Sequence, residues 1–214
     1  MKKGLFITFE GIEGSGKTTQ INLLFNYLIT QKFSVIKTKE PGGTEFGLEI
    51  RRILLDKNIE FKSNFTESLL FTADRLEHLE QVVKPAISEG TIVISDRYKD
   101  STYAYQLGGR NVPLSLIEFL DSLYPINPDL TILLDIEPEL GITRIKNRNS
   151  TGYENYKNNR FEQEKIDFYL KIRAKYLDLQ KKEPERIKLI KVDDQKPEEV
   201  FQKIKKIIDD KISN

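Results

Sequence analysis

The sequence predicts an α/β fold, a five-stranded parallel sheet flanked by helices, and two features of its 214 residues carry that prediction. Short, β-branched apolar runs recur along the chain, and stretches with helical periodicity separate them. Strands alternating with helices pack as a parallel sheet covered on both faces.

The strands are expected at Leu5 to Phe9, Ser34 to Thr38, Thr91 to Ser95, Asp129 to Asp135 and Ile187 to Val192. Ile21, Leu24, Phe25 and Leu28 recur at i, i+3, i+4 and i+7, the spacing of one helix face. Thr66 to Glu89 reads as a long helix that Pro85, lacking an amide hydrogen, is expected to kink or end. Pro113 to Leu123 reads as another helix. The segment NSTGYENYKNN, Asn149 to Asn159, has turn formers and no apolar periodicity, so an exposed connection is expected, with a lid at about residues 144 to 160. With no internal repeat or linker, residues 1–214 read as a single domain.

The 34 basic and 33 acidic side chains leave a formal charge of +1, which gives no general attraction to nucleic acid or to a membrane. Phosphate chemistry must then rest on local basic clusters. The chain has no cysteine, which excludes a disulfide framework, a thiolate metal site and a cysteine nucleophile. The start, MKKGLFITFEGIEG, fits neither a signal peptide nor a membrane span, so a cytoplasmic protein is expected.

Between the first strand and the first helix lies Gly11-Ile12-Glu13-Gly14-Ser15-Gly16-Lys17-Thr18, a match to G-x-x-x-x-G-K-[ST] in the context where that motif has mechanical meaning. Glycines let successive amides converge on phosphate oxygens, and the helix N-terminus adds its positive end. Residues Gly11 to Thr18 together with Thr19 are therefore expected to bind ATP, with Lys17 reaching the outer phosphates and the Thr18 hydroxyl available to Mg²⁺. The expected architecture is the P-loop NTPase fold. No N-K-x-D guanine signature is present and the length suits a small-molecule kinase.

Asp96-Arg97-Tyr98 follows the third strand, at the carboxyl edge of the sheet where ligands bind in open α/β folds. Arg97 can fork onto a phosphate, and Asp96 can hold Mg²⁺ directly or through water. Thr102, Tyr105 and Gln106 share one face if their segment is helical, and Phe71 and Arg75 lie one turn apart on the Thr66 helix. A ring, a guanidinium and an amide are groups able to read a base.

FEGIEGSGKTTQ, KEPGGTEFGLEIRRIL, LLFTADR, SDRYKDSTYAYQLGGR and VDDQKPEEV, in this order, resemble the successive signatures of thymidylate kinases, over Leu5 to about Val200. The resemblance implies transfer of the γ-phosphoryl group of ATP to dTMP by a nucleoside-monophosphate-kinase-like homodimer. It implies Phe71 stacked on thymine, Arg75 and Gln106 bonded to the base, Thr102 in the same pocket, and Arg51 and Arg97 on the acceptor phosphate. It sets Glu13 by the sugar 3′-hydroxyl or the metal, and Tyr105 against the deoxyribose. Lys39 stands where many such kinases have arginine before E-P-G-G, and lysine lacks the planar fork. Position 39 is expected near the acceptor phosphate.

The P-loop carries no arginine, so the charge that follows the moving phosphoryl group must come from elsewhere. Arg144, Arg148 and Arg160 flank the polar stretch, as in the bacterial type with lid arginines. Arg148 and Arg160 are expected at the transferred group and Arg144 near the adenine. His78, the sole histidine, lies further along the Thr66 helix and is given no role. Two alternatives stay open: a deoxynucleoside kinase with Glu40 as base, and a non-catalytic nucleotide-binding protein.

Overall fold

The computed structural model describes residues 4–150 and 160–213. Strands β1 (Phe6–Glu10), β2 (Val35–Lys39), β3 (Ile92–Asp96), β4 (Leu130–Asp135) and β5 (Ile187–Lys191) form one sheet in the order β2-β3-β1-β4-β5, every pair parallel. The α/β class and the five-stranded parallel sheet are as the sequence predicts. Three strands run one residue beyond their apolar runs, to Glu10, Lys39 and Asp96. The ladder continues through these charges, with Asp96 opposite both Phe9 and Lys39, because backbone pairing rather than side-chain polarity ends a strand. The consequence is functional: charged side chains stand in line along the carboxyl edge of the sheet.

Helix α1 (Lys17–Thr30) buries Ile21, Leu24 and Leu28 against the sheet. In α2 (Glu45–Leu55) the Thr44 side chain caps the first turn by accepting from the Gly47 amide at 2.9 Å. Helix α3 (Asn64–His78) runs through a π turn, Leu79–Val83, into α4 (Lys84–Ser88) without leaving helical backbone angles. The kink expected at Pro85 is thus absorbed by a wider turn just before it, whose i→i+5 bonding tolerates the missing proline donor. Helix α5 (Lys99–Thr102) likewise continues as a π stretch, Tyr103–Gly109. After it come α6 (Leu114–Ser122), α7 (Pro138–Ser150), a short 3₁₀ turn Arg160–Gln163, α8 (Ile166–Lys182) and α9 (Pro197–Ser213). Of the expected lid, residues 144–150 belong to α7, and 151–159 lie outside the described residues.

Alternate residues of β1 and β3 divide between two apolar clusters, as the pleat requires. Ile7, Phe9, Ile92 and Ile94 join the larger one, and Phe6 and Val93 the smaller one with Leu79, Val83, Tyr98 and Tyr124.

Candidate active site

Residues 11–16 turn from β1 into α1, and Lys17 folds back so that Nζ donates to the Gly11 carbonyl at 3.0 Å and the Ile12 carbonyl at 3.1 Å. Burial, with Arg97 nearby, pulls the Lys17 amine down to about 8. Gly14 has φ +78 and packs so closely on the Gly141 carbonyl that any Cβ would collide with it. A cavity of about 660 Å³ opens above the loop. Among the residues expected to bind ATP, Glu13, Gly14, Gly16, Lys17, Thr18, Thr19 and Arg144 line it. Gly11 and Ile12 serve instead as acceptors for Lys17, and Ser15 is buried.

Thr18 and Asp96 face the same cavity and offer two hard oxygen donors. No group of three or more His, Cys, Asp or Glu side chains fit to hold a metal occurs among the described residues. Such a sparse set suits Mg²⁺, which keeps most of its ligands as water and phosphate oxygens, and does not make an all-protein cage.

Arg97 joins the two halves of the site. It has φ +74, and its Nη1 donates to Gly11 O, Ser101 Oγ and Tyr176 OH at 3.1, 3.1 and 3.3 Å. Its Nη2 donates to Glu13 Oε1 and Tyr105 OH, both at 2.9 Å, and Tyr105 OH donates to Glu13 Oε2 at 2.7 Å. Behind this lies Glu10, fully buried, accepting from the Tyr98 amide, Ser101 Oγ and Tyr176 OH at 2.8, 2.6 and 2.7 Å. Burial, together with the neighbouring Asp100, pushes the Glu10 carboxyl up to about 7. Sequence reasoning missed Glu10, Ser101 and Tyr176 as site residues, although Ser101 falls inside the D-R-Y-x-x-S segment.

A second, smaller cavity of about 80 Å³ opens beside the first and shares Glu13, Glu40, Arg51 and Arg97 with it. Phe71, Arg75, Thr102, Tyr105 and Gln106 line it, five residues that the sequence grouped as an acceptor pocket. Phe161, from the 3₁₀ turn after the polar stretch, adds a wall that sequence reasoning did not foresee. Its ring lies 6.4 Å from Phe71 and 5.8 Å, edge on, from Tyr105. Arg51 donates to the Pro41 carbonyl at 2.9 Å and lines both cavities. Lys39 lines the larger one, and burial, with Arg51 beside it, lowers its amine from the ordinary value.

Arg75 is 1% exposed and held between the rings of Tyr98 and Tyr124, at 5.0 and 5.1 Å. Its Nε donates to Glu40 Oε2 at 2.7 Å, and Nη1 to Thr102 Oγ1 and Tyr124 OH at 2.8 and 3.0 Å. The other Glu40 oxygen bonds His78 Nδ1 at 2.8 Å, and His78 Nε2 bonds Thr38 Oγ1 at 2.6 Å. His78 is therefore a buried, satisfied residue, but not a remote one as its place in the sequence suggests. The α3 turn puts it on the same carboxylate as Arg75. Both Glu40 oxygens are engaged, so Glu40 does not stand ready as the general base that a nucleoside kinase needs.

Next to this network, Asp74 Oδ1 accepts from the Gly42 amide at 2.9 Å while Oδ2 is buried without a partner among the described residues. Burial, with the Glu40 charge beside it, pushes the Asp74 carboxyl up to about 7. The folded state thus holds this proton more tightly than the unfolded chain, and the native state loses stability as pH rises from about 4 to about 7. Asp74→Asn, an isostere of the neutral acid, is expected to match wild type near pH 4 and to exceed it by up to about 4 kcal/mol above pH 7. Urea unfolding across that range measures the difference, and a gap independent of pH would contradict the assignment.

The three arginines flanking the polar stretch diverge. Arg144 Nη2 donates to the carbonyls of Val192 and Asp193 at 2.9 and 2.8 Å, which ties α7 to the loop after β5. Arg160, expected at the transferred phosphoryl group, instead donates to Glu67 Oε2 at 2.6 Å and to the Leu54 carbonyl at 3.2 Å. It does not line the P-loop cavity, because the buried Glu67 carboxylate on α3, which also holds Gln106, pairs with it. The Arg148 side chain lies outside the described residues.

Comparison with known proteins agrees with this geometry. The family model described as Thymidylate kinase matches residues 9–204. The thymidylate kinase of Ruthia magnifica subsp. Calyptogena magnifica is 43% identical over 192 residues, covering 89% of this chain and 90% of that one. That of Vesicomyosocius okutanii subsp. Calyptogena okutanii is 41% identical over 210 residues, covering 97% and 98%. The crystal structure of thymidylate kinase from Ehrlichia chaffeensis superposes with a TM-score of 0.77 at 32% identity, covering 97% of this chain and 99% of that one. By sequence, by site and by fold, the chain belongs to the thymidylate kinase family.

Proposed function

We propose that this chain moves the γ-phosphoryl group of ATP onto dTMP, with ATP over the P-loop and dTMP in the smaller cavity. The observation that carries the reading is the junction of the two cavities at Arg97 and Arg51. Donor and acceptor phosphates meet there, so two reactants are held for direct transfer. Lys17 and the loop amides hold the donor phosphates. Arg97 and Arg51 bind the acceptor phosphate, and Lys39 adds charge at the same wall. Glu13 and Tyr105 keep the Arg97 fork oriented. When bound at Thr18 and Asp96, Mg²⁺ supplies positive charge to the donor phosphates. The acceptor phosphate is already an anion, so no general base is required. Phe71 stacks on the base while Arg75 and Gln106 bond its edge.

Calorimetric titration of dTMP and thymidine tests the acceptor half. Removing a phosphate met by two arginines is expected to weaken binding at least about 100-fold. Equal affinity would remove the proposed phosphate site.

Free nucleotides as both substrates put the reaction in the cytoplasm. No helix among the described residues is long and apolar enough to cross a membrane. The working unit is a homodimer. Phe65 and Leu69 on α3, and Phe119 on α6 with Leu123 just past its end, lie one turn apart in pairs and are 48%, 53%, 60% and 48% exposed along two helices that touch. An apolar face of this kind suits a second copy of itself. Phe119→Glu is expected to convert the dimer to monomer in light scattering, and a wild-type monomer at the same concentration would contradict the reading.

A further inference from the structure

We infer that Glu67 fixes which end of the Gln106 amide faces the acceptor, and thereby sets the pocket for a base that presents a ring N–H beside a carbonyl. The inference rests on the acceptor reading above. Gln106 is 1% exposed, and its Nε2 donates to Glu67 Oε1 at 2.8 Å. The same carboxylate accepts from Arg160 Nη2 at 2.6 Å and stands 3.5 Å from Arg110 Nε. A carboxylate between two guanidinium groups only accepts hydrogen bonds. Turning the amide over would set its carbonyl oxygen against Oε1 in a buried place, acceptor on acceptor, and the hydrogen bond between them would be lost. The carbonyl oxygen is therefore the end of the amide left for the cavity that Gln106 lines.

Arg75 supplies the complementary half. Its Nε and Nη1 are taken by Glu40, Thr102 and Tyr124, while Nη2 makes no hydrogen bond among the described residues and can only donate. One acceptor beside one donor matches the N3–H and O4 edge of thymine or uracil. Cytosine presents the reverse, a ring nitrogen that accepts and an amino group that donates, so both contacts become repulsive. Neither Glu67 nor Arg160 lines the base cavity. Glu67 is thus a positioning residue that acts through Gln106, and Arg160 braces it.

The test compares kcat/KM for dTMP with that for 5-methyl-dCMP, which has the same methyl group, sugar and phosphate and differs only in this hydrogen-bond pattern. Wild type is expected to prefer dTMP strongly. In Glu67→Gln the neighbour can donate, the Gln106 amide is free to turn, and the preference is expected to narrow at least about 10-fold. The change should appear as a raised KM for dTMP and a lowered KM for 5-methyl-dCMP, with little movement in kcat. In a Gln106→Leu background Glu67→Gln should narrow the preference no further. Glu67→Asp keeps an acceptor-only carboxylate and should keep the preference whatever it does to turnover. A folded Glu67→Gln enzyme with the wild-type preference would reduce Glu67 to a structural brace and overturn the inference alone. Narrowing in Glu67→Asp would overturn it too, and this variant decides the matter should Glu67→Gln not fold. A wild-type enzyme indifferent between the two acceptors would overturn the acceptor reading together with the inference.

Discussion

Arg97→Ala is expected to lower kcat/KM for dTMP by about 10³-fold in a protein that stays folded. The guanidinium reaches Gly11 O in the P-loop, Glu13, Ser101 and Tyr105 on the wall of the smaller cavity, and Tyr176 outside that wall. Its loss removes positive charge from the place where the two cavities join, and leaves the Glu13 carboxylate without its guanidinium partner. Ground-state binding of dTMP and transfer should both suffer, so the variant should show a raised KM and a lowered kcat. Arg97→Lys keeps the charge but cannot fork across two partners, and only partial recovery is expected. Calorimetric folding checks with steady-state kinetics decide it. A loss under about 10-fold in Arg97→Ala would remove Arg97 from the centre of the site.

Lys17→Ala is expected to cut kcat by about 10²- to 10³-fold with the dTMP KM nearly unchanged. Lys17 touches the loop carbonyls of Gly11 and Ile12, and none of its hydrogen bonds reaches the acceptor pocket. Its amine, drawn down to about 8 by burial, regains its ordinary protonation when phosphate anions arrive. ATP binding near pH 8 should accordingly take up part of a proton in wild type and none in Lys17→Ala. Calorimetry in buffers of different ionisation enthalpy reads this directly, and identical proton uptake in the two proteins would contradict the assignment.

The parts of this molecule legible in its sequence are the local ones. The P-loop reads correctly because its chemistry depends on a strand, a glycine turn and a helix that are contiguous in the chain. The residues around Phe71 and Arg75, and around Thr102, Tyr105 and Gln106, come together because each set occupies one short helical segment. What escaped were partners brought together across the fold. Tyr176 meets Glu10 and Arg97 from the far side of the chain, and His78 meets Arg75 through a third residue, Glu40. Spacing cannot announce a buried carboxylate shared by two elements. Arg160 was misdirected for the same reason, since the pull of Glu67 on α3 is invisible from the polar stretch it follows. One signal was available for α8: Gly108 and Gly109 let its Lys175 and Phe168 pack against the π stretch where any Cβ would intrude.

The central claim is that the smaller cavity takes a thymine monophosphate and passes the γ-phosphoryl group to it. A coupled ADP-release assay with MgATP, run against dTMP, dUMP, dCMP, UMP, AMP, GMP and thymidine, tests it most directly. The account predicts rapid, acceptor-dependent turnover with dTMP, at least about 100-fold above dCMP and the purine monophosphates, and no turnover with thymidine. Preference for thymidine, or ADP release that no acceptor alters, would contradict it.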